Sequence, residues 1–318
     1  MSPVRSLCAW MGWAAFALGA GAAPDAGAAP APELLITAAK PDQLFVIDAA
    51  TRSVRAEHHV AGADGQIFTI VMSPDQRIAY LLVAKMERIV GIEVASGREV
   101  FRADLSTPTE RVKDFFAMTV TPDGKELVVY ELPTQLRPSE YVVEEPRFAV
   151  YRTDAGLAAK PARSFPAPRR IVMLLARPNG RSFYALGFDL YEYDTGTGRL
   201  LGTRGIQKWT LADHSQPDML AFWPVSEPTG IFTSPVYSEL KKGGTSTPMT
   251  ALMSLNLKSG ELSYADFEPM SALIFSTVLS PDRKHAYGVY TTLSSIDVDG
   301  HKLEKRVPLD HTFYAVNI

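Results

Sequence analysis

The polar pair in this sequence that stands out most for chemistry is Asp310-His311, set directly before an apolar run at residues 313–316. A histidine beside a carboxylate changes charge near neutrality and can move a proton or hold a ligand. Other polar residues, Asp64, Gln66, Lys113, Asp114, Arg169, Arg170 and Asp218, stand in the same relation to later apolar runs. If these runs are strands arranged around an axis, the nine side chains gather on one face, suited to a ligand or a partner subunit. The remaining candidates are weaker. His58 and His59 are adjacent in a strand-like stretch, and successive strand side chains point to opposite faces, so they cannot close on one metal. His285 and His301 fall where the pattern places hairpin turns. Gly196-Thr197-Gly198 with Gly202 has the look of a phosphate-cradling loop, but that fingerprint needs a helix after the glycines, and Leu200-Leu201 continues a strand. Asp297-Val298-Asp299-Gly300 resembles half a calcium loop without its downstream bidentate glutamate; Asp-Gly is the ordinary signature of a tight β-turn. Trp209, Phe222 and Trp223 are aromatic enough for an interface and equally suited to a core. There is no nucleophile elbow and no HExxH, and the sequence reading assigns no catalytic, cofactor-binding or metal-ligating residue.

Cysteine usage narrows the chemistry further. The single cysteine of the 318 residues, Cys8, lies in an N-terminal segment with Arg5, an uncharged apolar run at 7–20 and small residues at Ala20-Gly21-Ala22. That is the layout of a cleaved secretory signal, and the run is shorter than the roughly 20 residues a membrane-spanning helix needs. The expected organisation is therefore a signal peptide over residues 1–23, an Ala/Pro-rich unfolded lead-in over 24–32 and one domain over 33–318, in a protein exported to the periplasm with no membrane span. Without Cys8 the mature chain has no thiol for a covalent haem, an iron–sulfur cluster, a thiolate zinc site or a cysteine nucleophile. A net charge of −3 gives no basic footprint for nucleic acid. The 46% hydrophobic and 21% charged residues are those of a chain with a packed core rather than a disordered one.

The elements that position these residues repeat. An apolar residue, then Ser/Thr/Arg-Pro-Asp/Asn, then a β-rich run ending near Tyr occurs at Met72-Ser73-Pro74-Asp75, Val120-Thr121-Pro122-Asp123, Ala176-Arg177-Pro178-Asn179 and Leu279-Ser280-Pro281-Asp282, with a degenerate copy at Trp223-Pro224. Proline presets the turn and Asp/Asn tolerates its tight backbone, so each copy predicts a hairpin. The copies recur every 50 residues or so, the length of a propeller blade. Between them lies a second pattern, an apolar strand followed by a glycine turn, near Gly97, Gly156, Gly198, Gly260 and Gly300, and without glycine after Leu44. Together they predict all-β architecture: four antiparallel strands per blade, A to D outward, with the Pro-Asp turn joining A to B and the second turn joining C to D. The first unit has B-, C- and D-like strands but no A strand before them, and the last offers only an A-like stub at 313–316.

The run Tyr141-Val142-Val143-Glu144-Glu145-Pro146-Arg147-Phe148-Ala149-Val150-Tyr151, followed by Gly156 to Pro161 and Ser164-Phe165-Pro166, resembles the β subunit of bacterial quinohaemoprotein amine dehydrogenases. Phe222-Trp223-Pro224, Leu257-Lys258-Ser259-Gly260 and Leu309-Asp310-His311-Thr312-Phe313-Tyr314 are similar in order and spacing, and the likeness extends over 33–318. The resemblance implies a seven-bladed propeller, its last blade incomplete in this chain. It also implies a non-catalytic scaffold in a periplasmic heterotrimer that oxidises primary amines to aldehydes and ammonia. No cofactor is expected on this chain. A small γ subunit would carry cysteine tryptophylquinone, and a dihaem cytochrome α subunit would carry c-type haems and pass electrons on. The alternatives are the propeller subunit of a tryptophan-tryptophylquinone amine dehydrogenase, a free-standing periplasmic binding propeller, and a propeller hydrolase with a metal in its channel.

Overall fold

The computed structural model describes residues 33–206, 212–219, 229–269 and 273–310, which form six antiparallel sheets. The first holds β1 (Leu34–Ala39), β2 (Gln43–Asp48) and β3 (Val54–His59). The second holds β4 (Thr69–Met72), β5 (Ile78–Val83), β6 (Arg88–Glu93) and β7 (Glu99–Asp104). The third is enlarged: β8 (Glu110–Val120), β9 (Glu126–Leu136), β10 (Tyr141–Val143), β11 (Arg147–Arg152) and β12 (Pro161–Pro166). The fourth comprises β13 (Met173–Ala176), β14 (Ser182–Leu186), β15 (Leu190–Asp194) and β16 (Leu200–Arg204). The fifth comprises β17 (Asp218–Met219), β18 (Ile231–Lys242), β19 (Thr245–Asn256) and β20 (Leu262–Pro269). The sixth comprises β21 (Ser276–Leu279), β22 (His285–Val289), β23 (Thr292–Asp297) and β24 (Lys302–Pro308). Helix is confined, among the described residues, to two three-residue 3₁₀ turns, and no helix is long and apolar enough to cross a membrane.

This is a β-propeller of four-stranded antiparallel blades with six sheets, not the seven blades that the resemblance implies. At roughly 50 residues per blade, the described residues 33–310 correspond to about six units, in agreement with the six sheets. Among the described residues the first blade has three strands, in line with the B-, C- and D-like strands read from the sequence. The stub at 313–316, the copy at Trp223-Pro224 and the aromatics Trp209, Phe222 and Trp223 lie outside the described residues.

The two sequence patterns are two turn chemistries. At Ser73, Thr121 and Ser280 the hydroxyl donates to the carboxylate two residues on (2.6, 2.7 and 2.6 Å) and accepts the N–H of the residue five on. The same carboxylate, Asp75, Asp123 or Asp282, accepts a further backbone N–H. Three bonds thus pin each A-to-B turn. In the C-to-D turns at Gly97, Gly198 and Gly260, the glycine N–H closes on the carbonyl four residues back with φ near +70°, a conformation that costs a side-chain-bearing residue energy. The Gly196 to Gly202 stretch is one of these hairpins, and Asp297 accepts the Gly300 N–H in another.

Among the described residues five groups of buried apolar side chains hold the blades together, each shared by two neighbours: first and second, second and third, third and fourth, fourth and fifth, fifth and sixth. Because the two middle strands of a blade are packed from both sides, β5, β11 and β14 are buried on both faces, which explains their continuous apolar runs.

Candidate functional site

In a four-stranded antiparallel blade the D-to-A and B-to-C connections leave from the same end, so they share one face of the propeller. Side-chain pairs confirm their meeting here. Arg111, at the entry to β8, lies 3.3 Å from Glu87 in the preceding blade's B-to-C turn. Arg169 reaches Glu145 at 2.8 Å, and the Arg170 guanidinium sits 4.8 Å above the Phe188 ring.

The third blade rises above its neighbours on this face. Strands β8 and β9 pair over their whole length, from Glu110↔Gln135 to Val120↔Leu127. Beyond the level of β11, β9 exchanges that partner for β10. Between Asp114 and Met118 the strand β8 spends two more residues than β9, forming a bulge. Phe116 takes φ +67° there, and Asp114 Oδ1 accepts the Ala117 N–H at 3.0 Å.

Beneath the bulge lies a buried polar network. Arg147 spans two glutamates, donating through Nη1 and Nη2 to Glu110 (3.1 and 3.0 Å) and through Nε to Glu131 (2.7 Å). The Tyr151 hydroxyl donates to the other oxygen of Glu131 at 2.6 Å. Burial by itself would lower the Arg147 pKa, but the two carboxylates outweigh it and keep the guanidinium charged. Burial, with Glu131's charge, pushes the Tyr151 phenol well above its usual value. Asp114, directly opposite Glu131 in the ladder, is fully buried, and its Oδ2 has no hydrogen-bond partner. Burial pushes its carboxyl up to about 8, against the pull of the Ala117 N–H and with the push of Glu131's charge. Asp114 is therefore a carboxylic acid at neutral pH, enclosed with Glu131 away from solvent, which suits a fold-setting network better than a group that meets substrate.

The outer face of the same ladder is different. Residues opposite one another across antiparallel strands share a face, and Tyr141, Leu136, Val143, Thr134, Leu132, Arg111 and Lys113 fall on one side. Tyr141 is 77% and Val143 68% exposed, and Leu132 on the same side is exposed as well. Large apolar side chains grouped on a raised, partly basic platform are the kind of patch that partners cover.

The residues picked out in the sequence distribute as follows. Asp64 is exposed and Gln66 half-buried in the β3–β4 connection. Arg169 and Arg170 are exposed in the β12–β13 connection, and Asp310 is exposed after β24. Lys113 and Asp114 are not loop residues: the third blade's inner strand starts early, so both lie in β8. Asp218 likewise belongs to β17, opposite Tyr237. His311 lies outside the described residues. His58 donates through Nε2 to the Val94 carbonyl (2.8 Å), and His59 faces Asp42 and Glu57. His285 opens β22 instead of sitting in a turn, 3.4 Å from Glu304. Among the described residues, no three His, Cys, Asp or Glu side chains gather as a metal site.

Sequence reasoning missed Glu131, Arg147 and Tyr151, whose partnership depends on strand register; the available signal was one acid closing the apolar run Leu127-Val128-Val129-Tyr130-Glu131. It also missed His214. Its side chain is almost fully enclosed, with Nε2 2.7 Å from Asp266 and Nδ1 2.7 Å from the Ala212 carbonyl.

No family model matches the chain, and no curated protein matches it. Among solved structures it is similar to hydrazine synthase of Kuenenia stuttgartiensis, with a TM-score of 0.50 and 14% identity over 81% of this chain and 71% of that one. It is also similar to the Cps50 (Swd1) β-propeller domain of Myceliophteria thermophila (TM-score 0.56, 9% identity, 87% of this chain and 83% of that one). BamB from Moraxella catarrhalis is a third (TM-score 0.54, 9% identity, 88% of this chain and 87% of that one). At these identities the likeness establishes the propeller fold and nothing finer.

Proposed function

We propose that this chain is the non-catalytic propeller subunit of a periplasmic amine dehydrogenase of the quinohaemoprotein type, a scaffold for a quinone-bearing subunit and a dihaem cytochrome. The observation that carries the scaffold reading is the exposed platform of Tyr141, Val143 and Leu132 on one side of the raised ladder. The amine dehydrogenase assignment rests on the run from Tyr141 to Pro166, whose first residues, Tyr141 and Val143, belong to that platform. In this reading the amine is oxidised on the partner's quinone, and water then releases aldehyde and ammonia while two electrons and two protons leave. This chain's part is to hold the partner: the Glu110–Arg147–Glu131 bridge stiffens the ladder from below, Tyr141 and Val143 supply apolar contact, and Lys113 and Arg111 supply positive charge at its edge.

The test is affinity purification of the tagged chain from its native host, with haem and quinone staining of whatever is bound. Two stained partners are expected, and complex recovery from the double variant Tyr141→Ser, Val143→Ser should fall about tenfold or more, as for loss of an aromatic anchor, with an unchanged melting curve. Recovery equal to wild type would remove the platform from the interface. Unstained partners, or amine-dependent dye reduction by the isolated chain, would overturn the amine dehydrogenase reading.

A further inference from the structure

We propose that the space above the fourth blade is a docking cleft between two raised ladders, and that it takes an acidic segment of a partner protein whose apolar anchor seats on Phe188. The proposal rests on the reading of Tyr141, Val143 and Leu132 as a partner surface. It adds the direction that surface faces, a floor, a far wall and the charge of the occupant.

The direction follows from strand alternation. Along β9, Leu127 and Val129 pack with the second blade, and Val128 and Tyr130 with the fourth. Continuing upward, Glu131 and its ladder partner Asp114 lie on the second blade's side, as does Glu110 opposite Gln135. Leu132, Thr134 and Leu136 lie on the fourth blade's side, and with them their partners Lys113, Val143 and Tyr141. The platform therefore overlooks the fourth blade.

The fourth blade is low at that point. Only three residues join Leu186 to Leu190, and the middle one, Phe188, is 49% exposed. The Arg170 guanidinium lies over its ring. Gly187 lets the Arg170 backbone come close, since a Cβ there would stand 2.8 Å from the Arg170 carbonyl oxygen. Arg169 beside it is bound by Glu145.

The fifth blade rises again. Strands β18 and β19 pair from Ile231↔Asn256 to Lys242↔Thr245. Among the described residues their partners β17 and β20 reach no further than Tyr237 and Met249, so 239–242 and 245–248 stand above the blade body. Phe232 and Val236 pack with the fourth blade; Leu240 and Lys242 continue that side, with Thr247 and Thr245 opposite them. Glu239 and Lys241 point to the other side, like Tyr237, whose hydroxyl donates to the Ile274 carbonyl at 2.6 Å.

Charge is sorted between the two sides. The acids of both raised ladders, Glu110, Asp114, Glu131 and Glu239, lie on the sides away from the fourth blade. Facing it are Lys113 and Lys242, with Arg170 on the floor and the half-buried Asp189 against them. Arg111 shares the side of Lys113 but is bound by Glu87. Cations and apolar groups inward with acids outward give a potential complementary to carboxylates, and an exposed aromatic ring among them is a natural anchor point. Three cations spread among aliphatic and aromatic side chains are too sparse for a phosphate backbone or a lipid surface.

The test uses the complex recovered with the tagged full chain, carrying the photo-crosslinking amino acid p-benzoylphenylalanine at position 188, 247 or 141. Position 246, opposite Lys241 on the far side of the fifth-blade ladder, is the control. Irradiation should join 188, 247 and 141 to one and the same partner chain and leave 246 unjoined. The peptide captured at 188 should carry Asp or Glu around an apolar residue. Its yield should fall about tenfold in the triple variant Lys113→Glu, Arg170→Glu, Lys242→Glu, and likewise for the unreversed chain in about 0.5 M salt. Lys241→Glu should leave it unchanged, with matching melting curves throughout. Product from 141 but not from 188 or 247 would keep the platform and remove the cleft; none from any of the three would remove both. Cross-links to a second copy of this chain, to lipid or to a segment without carboxylates would overturn the proposal, as would equal yield at 246 or undiminished yield in the triple variant.

Discussion

Replacing Asp114 by Asn should flatten the pH dependence of stability between about pH 4 and pH 8. The acid is raised from 3.8 to about 8 in the folded chain, so over that window the native state holds a proton that the unfolded chain releases. Stability then falls as pH rises, by at most about 1.4 kcal/mol per unit, reaching about 4 kcal/mol at pH 7 as a ceiling. Asparagine keeps the oxygen that accepts the Ala117 N–H and cannot ionise. Its amide adds donors to a pocket where Oδ2 already lacks a partner, a cost of about 1–3 kcal/mol that is the same at every pH. It moves the intercept and leaves the slope. Urea unfolding of both proteins at pH 5, 6, 7 and 8 at constant ionic strength measures the difference. The variant should gain on wild type by about 1 kcal/mol for each unit between pH 5 and pH 7. Parallel curves would mean that Asp114 does not bind its proton against burial and Glu131, and the account of the network would fail.

Arg147→Met should destabilise the fold by about 3–5 kcal/mol, because Glu131 loses its countercharge while staying buried; adding Glu131→Gln should restore much of that in the same denaturation assay. Gly198→Ala should lower the melting temperature clearly, since φ is +69° and a Cβ would sit 2.2 Å from the Phe165 ring, whereas Gly202→Ala, with open space, should leave it unchanged. By NMR titration the Asp123 carboxyl should ionise below its usual range, held down by the Thr121 hydroxyl and the Lys125 N–H, and Thr121→Val should bring it back toward normal; an unshifted wild-type value would refute the turn chemistry.

Residues that act locally were legible in the sequence, and residues that act across strands were not. Ser73-Pro74-Asp75 and its copies fix a turn within six residues, so the blade repeat and the hairpins were readable from composition and spacing alone. Lys113 and Asp114 read as loop residues in the sequence, because nothing local announces that β8 begins three residues earlier or that β10 extends the ladder. Arg147 meets Glu131 and Glu110 only through the registers of two strand pairs with a bulge between them, and register is set by the packing of whole strands. The seven-blade count came from the resemblance; six came from the chain's own periodicity, visible but outweighed.

Among the described residues each buried apolar group is shared by two adjacent blades and none reaches a third, so the blades are coupled neighbour to neighbour rather than through one core. Local opening therefore travels one junction at a time, so a substitution that loosens the fourth blade should speed amide exchange in the third and fifth blades before it does so in the second.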